Sequence, residues 1–379
     1  MTSANPVRVA WLTNAPSGDM IDLLTAFAAR PEIDLVVIYC SPQAVKAQID
    51  CRAPGGRGIP LKRFRLPGPN GGFLINPSIT SVLTRSSYDV VVIGGYAHPT
   101  MQLAMLVRLL QKKPWVLFAE RPGMNQRSYW RNWGRKLAMC LTGSAHGVIA
   151  TGRLARNVFA AAQTERPATL FSLPYVIDHR EFLKIPRHRN GSGTVSFMSC
   201  GDLIPRKGID ILIKAFQLAS ESVPGISLKI VGDGPERKAL TESIQHQWRD
   251  RITFQGAVSF SERVTVFAGA DVFIHPARHD GWGVVIQEAM AAGLPVIATR
   301  QTGAAYDLVE DEQNGFLVDA EDVIGLAQRI AWFANQPKEI ENFGNRARAA
   351  VIGLTPEWGA SELVRITQMV FENYRSGQG

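Results

Sequence analysis

Hydrophobic residues in this chain come in short unbroken runs rather than in strict alternation. In the first half the runs fall at 7–12, 35–39, 89–93, 115–119 and 148–150; in the second at 195–199, 228–231, 252–254, 272–274 and 295–298. Runs this short, rich in Val and Ile and apolar at successive positions, describe strands buried on both faces. Helix-forming stretches such as 101–110 fill the intervals, and Gly or Pro punctuates many of the joins, as at Gly94-Gly95 and Gly293 to Pro295. The expected fold class is therefore α/β, with parallel sheets covered by helices. The alternation restarts after a polar hinge at 186–193. That predicts two doubly wound, Rossmann-like domains, 1–187 and 188–355. A closing amphipathic helix within 356–379 is expected to cross back to the first. Sheets of this kind bind ligands at their carboxyl ends, so an interdomain cleft is the expected site. The Gly/Pro-rich stretch 54–72 defines no element.

A chain of 379 residues is long for one core, which agrees with the two-domain reading. Cys40, Cys51, Cys140 and Cys200 stand far apart with no Cys-x-x-Cys pair, so neither a zinc knuckle nor a redox motif is indicated. Free thiols fit a reducing cytoplasm. No run approaches the roughly 18 apolar residues of a membrane span, and 7–12 reads as a first strand rather than a signal peptide. The formal charge of +8 favours an anionic partner without choosing one. The basic residues concentrate at 121–136, where Arg127, Arg131 and Arg135 share one helical face and Trp130 and Trp133 lie on a neighbouring one. Such a helix suits peripheral contact with an anionic membrane, and equally a solvated surface with its tryptophans in the core. No nucleic-acid-binding fingerprint is present, and no nucleic-acid partner is expected.

The candidate chemistry lies in turns that follow strands of the second half. His279-Asp280-Gly281-Trp282-Gly283-Val284 runs into an apolar helix bearing Glu288. The first amides of a helix carry partial positive charge and can hold phosphate. Glu288, roughly 6 Å along the axis from Val284, could take the hydroxyls of a ribose, and Asp280 those of a sugar at the other end. An ordinary α/β loop with a solvated Asp and a helical Glu gives the same local pattern. Arg206 and Lys207, after the strand at 195–199, offer a fork and a point charge for a diphosphate. Gly232 and Gly234 could let a base or ribose lie against the backbone, and Ala257 and Val258 could wall the base. Singly these are common turns; their convergence at successive sheet ends favours a nucleotide-sugar site. No Gly-x-Gly-x-x-Gly follows the first strand of either half, and no Gly-Lys-Ser/Thr loop occurs, which argues against dinucleotide and P-loop enzymes.

In the order and spacing of these motifs, residues 195–320 resemble the donor domain of family 4 retaining glycosyltransferases of GT-B fold. The matching segments are Gly201-Asp202-Leu203 with Arg206-Lys207-Gly208, Val231-Gly232-Asp233-Gly234-Pro235, Asp280 to Ala298, and Asn314-Gly315-Phe316-Leu317-Val318. The family has two glutamates separated by seven residues; Asp280 takes the first position here and Glu288 the second. The resemblance implies that Arg206 and Lys207 bind the donor diphosphate, Glu288 the ribose, and Asp280 the transferred sugar as a catalytic group. It implies donor contacts at Gly281, Trp282, Gly283 and Val284, and a UDP- or GDP-sugar as substrate. It also implies transfer with retention. The two fixed cations Arg206 and Lys207 would neutralise the leaving diphosphate, so neither metal nor cofactor is expected. The basic-aromatic stretch 121–136 suggests a lipid-linked or saccharide acceptor of surface polysaccharide or glycolipid synthesis. In the first half, Tyr175-Val176-Ile177-Asp178 resembles the family's interdomain segment. His98 stands later in its loop than the family's catalytic histidine. His98 and Glu120 are candidates to orient or deprotonate the acceptor, and Gly18 marks the acceptor-side loop after the first strand. A nucleotide-sugar epimerase or phosphorylase on the same fold, or a non-catalytic sugar-nucleotide-binding protein, are the rival readings.

Overall fold

The computed structural model describes residues 5–14, 18–41, 57–66, 73–121, 140–162, 169–186, 194–259 and 262–377. The chain forms two compact units, one of residues 1–177 and 354–379, the other of 178–353.

Unit 1 is built on β1 (Val7–Thr13), β2 (Ile33–Tyr39), β3 (Gly58–Pro60), β6 (Val90–Gly94), β7 (Trp115–Ala119), β8 (Gly147–Ala150) and β9 (Thr169–Ser172). These pair in parallel in the order β3-β2-β1-β6-β7-β8-β9, and β4 (Phe64–Leu66) and β5 (Phe73–Ile75) form a separate antiparallel pair. Its helices are α1 (Gly18–Ala28), α2 (Ile79–Arg85), α3 (Pro99–Leu110) and α4 (Gly152–Ala162). The unbroken apolar runs follow from this arrangement. Val7, Val9 and Trp11 of β1 join one core with Leu23, Leu24 and Phe27 of α1. Ala10 and Leu12, pointing the other way, join a second core with Met101, Ala104 and Met105 of α3. Each face of the sheet needs its own apolar set, so both strand parities are hydrophobic.

Unit 2 contains β10 (Val195–Cys200), β11 (Ile226–Val231), β12 (Ile252–Gly256), β13 (Val272–His275), β14 (Val296–Thr299) and β15 (Gly315–Val318), all parallel, in the order β12-β11-β10-β13-β14-β15. Around the sheet lie α5 (Arg180–Leu183), α6 (Ile209–Ser222), α7 (Arg237–Glu242), α8 (Arg263–Val266), α9 (Val284–Ala291), α10 (Gly303–Leu308), α11 (Val323–Asn335) and α12 (Glu339–Val351). The last helix, α13 (Pro356–Ser376), belongs to unit 1. Thr355 accepts the Trp358 N–H, Pro356 occupies the first turn, and Leu363, Ile366 and Val370 pack into the core that holds α1. Numbered from its first strand, each sheet has the order 3-2-1-4-5-6, with one further strand in unit 1. This is the doubly wound Rossmann arrangement, in which the carboxyl ends of the first and fourth strands flank a crevice.

Three parts of the sequence reading meet the structure differently. The strands β9 and β15, with short runs beside polar residues, and β3, β4 and β5, of three residues each in and beside the Gly/Pro-rich stretch, are not among the predicted strands. The basic helix bearing Arg127, Trp130, Arg131, Trp133 and Arg135 falls outside the described residues, as does most of the hinge. Among the described residues no helix is long and apolar enough to cross a membrane.

Candidate functional site

In unit 2 the crevice strands are β10 and β13. The turn after β10 bends into a 3-10 segment at Pro205–Lys207, and the turn after β13 carries Asp280 before entering α9. Arg278 ties the two turns together. Its N–H donates to the Arg206 carbonyl at 2.9 Å. Its guanidinium donates to the Pro205 carbonyl at 2.6 Å and to both Asp210 oxygens at 2.8 and 2.7 Å. A two-pronged bond of this kind fixes direction as well as distance. The Arg-Lys pair thus stands on a braced turn.

The braced turns bring four ionisable side chains to one point. Arg206 Nη1 donates to Asp280 Oδ1 at 2.9 Å and to the His279 carbonyl at 3.1 Å. Lys207 Nζ donates to Asp280 Oδ2 at 2.6 Å, and His275 Nε2 lies 3.1 Å from the same oxygen. Burial by itself would raise the pKa of Asp280, but His275 and Lys207 outweigh it and hold the carboxyl well below the usual carboxylate range. Burial pushes the His275 ring down, against the pull of Asp280, so at neutral pH the ring is neutral and donates its Nε2 proton to the carboxylate. Asp280 is therefore an anion held by two cations and a neutral donor. The cluster keeps a net positive charge, and an incoming diphosphate would compete with Asp280 for Arg206 and Lys207.

Glu288 sits one turn into α9, with only 9% of its surface exposed. Arg263 of α8 approaches its Oε1 at 3.4 Å. The Glu288 charge also reaches Cys200 at the end of β10, whose thiol is pushed up to about 12, mainly by burial. Glu288 and the Asp280 cluster are thus both associated with the carboxyl end of the same sheet. Gly283, φ 89°, begins the helix; a Cβ there would meet Thr302 Cγ2 at 2.9 Å, so the turn accepts only glycine without strain. Val284 and Gly283 are half-buried, and Gly281 is buried.

Some residues singled out for the ligand have another task. Trp282 is buried at 1% exposure, and its indole N–H donates to Gln287 Oε1 at 2.7 Å. Its side chain is a core strut that pins the first turn of α9, so only its backbone remains for a ligand. A Cβ on Gly232 would lie 2.0 Å from the Gly201 carbonyl oxygen, and one on Gly234 2.5 Å from that of Leu203. These glycines are needed because two turns touch, which accounts for them without a base or ribose. Ala257 is exposed and Val258 half-buried, just past β12.

In unit 1, Gly18 opens α1. His98 caps α3: its Nδ1 accepts the Thr100 N–H at 3.2 Å. Burial, helped by Arg63, lowers its pKa, so the ring is neutral. The cap occupies its one lone pair and leaves the proton on Nε2, so in this arrangement the ring offers a donor rather than a base. Glu120 follows β7 and hydrogen-bonds Tyr175, whose hydroxyl is driven well up by burial and by Glu120, with Asp19 adding a smaller push. His275, Arg263, Arg278 and Thr302 were missed in the sequence. His275 ends an apolar strand and reads there as core, and the two arginines gain meaning only through partners far along the chain.

Residues 183–350 match the family model for glycosyl transferases group 1. Over 220 residues the chain is 32% identical to the GDP-mannose-dependent alpha-(1-6)-phosphatidylinositol monomannoside mannosyltransferase of Mycolicibacterium smegmatis, covering 53% of this chain and 56% of that one. It is 39% identical over 122 residues to a GDP-mannose-dependent alpha-mannosyltransferase of Corynebacterium glutamicum, covering 32% of this chain and 27% of that one. The chain thus spans about half or less of the length of these curated relatives. Among solved structures, Anabaena HepE in complex with UDP superposes with TM-score 0.73 at 19% identity, covering 96% of this chain and 100% of HepE. Sucrose-phosphate synthase of Thermosynechococcus elongatus gives TM-score 0.73 at 19% identity, covering 97% of this chain and all of that one. The fold is GT-B.

Proposed function

We propose that this protein is a retaining glycosyltransferase that moves a sugar from a nucleotide diphosphate to an acceptor hydroxyl. The observation that carries the reading is the Arg206–Lys207–Asp280–His275 cluster at the crevice of unit 2, with Glu288 on the adjoining helix. Arg206 and Lys207 exchange part of their hold on Asp280 for the donor diphosphate. The freed carboxylate then accepts hydroxyls of the transferred sugar, and Glu288 accepts those of the ribose. As the bond from the anomeric carbon to the diphosphate oxygen breaks, its electron pair passes to that oxygen. The acceptor oxygen bonds to the same carbon on the same face, and its proton goes to the departing diphosphate. Fixed cations stabilise the charge that develops there, so the scheme calls for no metal and no cofactor.

GDP-mannose is the first donor to try, because the mannosyltransferases cited above are GDP-mannose-dependent; UDP-sugars come second. The acceptor in this reading is a saccharide or a lipid-linked glycan of surface polysaccharide or glycolipid synthesis. The enzyme works in the cytoplasm, with peripheral contact at the inner membrane face. In the test, the chain is heated with GDP-mannose, UDP-glucose or ADP-glucose, and the donor that raises its Tm is then assayed with and without acceptors. Acceptor-dependent release of nucleoside diphosphate is expected. Donor turnover that needs no acceptor would replace transfer with epimerisation, and binding of none of the three would remove the reading.

A further inference from the structure

Unit 1 has a cavity of about 430 Å³ at the opposite edge of its sheet. It opens beside the first residues of β7 and β9, Trp115 and Thr169, and beside His146, which precedes β8. Strands of this length put it about 13 Å from the carboxyl ends where β7 and β8 finish. Its volume lies in the range of about 300–1,000 Å³ usual for small-ligand sites.

The lining is basic. Arg108, Lys112 and Lys113 supply the charge, and no carboxylate stands within ion-pair distance of any of them among the described residues; His146, whose pKa burial and Arg108 lower, lines the wall as a neutral ring. Arg108 is fully buried. Its guanidinium donates to the carbonyls of Pro114 at 2.8 Å and Tyr88 at 3.4 Å and to Gln111 Oε1 at 3.4 Å, and its Nε has no hydrogen-bond partner among the described residues. Carbonyl dipoles satisfy N–H groups without cancelling the charge. Burial lowers the pKa of Arg108 to about 10, with Tyr374 and Asp89 pulling the other way, so it remains a cation at neutral pH. Asp89 is occupied elsewhere, accepting the Arg8 N–H.

The backbone adds a second sign. α3 ends in a reverse turn in which the Lys112 N–H donates to the Leu109 carbonyl at 3.0 Å and the Lys113 N–H to that of Arg108 at 3.2 Å. Glycine is the usual residue at the left-handed position of this motif, and here Lys112 occupies it with φ 52°. A side chain is sterically disfavoured in that conformation. The fold thus accepts a lysine at a left-handed position on the wall of the cavity that Arg108 also lines.

We propose that this cavity is a second anion site, binding a phosphate group of a small metabolite or of a lipid headgroup, apart from the proposed donor site. Ser144 and Asn373 supply further hydrogen-bonding groups on its wall, and Leu109, 43% exposed, places apolar surface at its side. The clean variant is Lys112→Gly with Lys113→Gln. It removes two charges and relieves the strained φ, so the fold should be kept or stabilised. The experiment uses the full chain carrying Lys207→Ala, which weakens anion binding at the proposed donor site. Calorimetry with inorganic pyrophosphate forms one arm, and sedimentation with phosphatidylglycerol vesicles against phosphatidylcholine vesicles the other. A loss of about tenfold or more in pyrophosphate affinity on adding Lys112→Gly/Lys113→Gln supports the site with a soluble phosphate as its ligand. The same loss confined to the anionic vesicles supports it with a headgroup. Binding that is absent in both arms, or that the double variant leaves unchanged, overturns it.

Discussion

The two sheets share one strand order and differ in what stands at the crevice it creates. In unit 2, the turns after the first and fourth strands hold Arg206, Lys207 and Asp280 in one ion cluster, braced by Arg278. In unit 1, the corresponding turns lead to Gly18 at the start of α1 and to His98, whose ring is spent on capping α3. Topology supplies a place for a ligand in both, but among the described residues only the second crevice gathers a cluster of charged side chains.

The comparison breaks most sharply at Lys207. Lys207→Ala should lower transfer by about 10²–10³-fold, the range for removing one preorganised charge-stabilising group, while the far-ultraviolet spectrum stays unchanged. Near-normal turnover would put the donor elsewhere. Gly283→Ala tests whether the turn itself is essential. With φ at 89° and Thr302 in the way, it should cost about 1–3 kcal/mol in denaturant unfolding; an unchanged midpoint would mean the turn can relax. His98→Ala should cost about 1 kcal/mol as a lost cap and leave the pH profile of transfer in place. A profile that loses a limb would restore His98 as a base and erase the contrast between the units.

The smallest effect is on stability against pH. His275 has a folded pKa below its ordinary 6.5, so its contribution is complete above that value and shrinks as pH falls beneath it. Asp280, also depressed, loses its contribution only at still lower pH, below its ordinary 3.8. His275→Gln should flatten the first slope and keep the second. Equal slopes in both proteins would mean that His275 titrates alike in the folded and the unfolded chain.

How much of this could be read in advance varied with the range of the interaction. The strands of both sheets were largely legible because a parallel sheet covered on two faces demands unbroken apolar runs. β9 escaped because its exposed edge, Thr169 and Ser172, dilutes the run. Arg206, Lys207, Asp280 and Glu288 were legible as residue types in spaced motifs. Trp282 and Gly232 could not be divided between ligand and scaffold in advance, because an aromatic or a glycine in a ligand-like turn looks the same whether it serves a ligand or a neighbouring turn. His275 was invisible, since its partner Asp280 lies past the strand end and across a turn.

The sequence by itself determined the alternation of strands and helices, the two-part organisation and the identity of the charged residues, because periodicity and local turn chemistry act over a few neighbours. Only the tertiary structure decided which charges meet. Asp280 touches Arg206 and Lys207 across more than seventy residues of chain, and Arg108 and Lys112 line one cavity of unit 1 with no carboxylate within ion-pair distance among the described residues. Such pairings depend on where strands end in space, and that is set by packing the whole sheet.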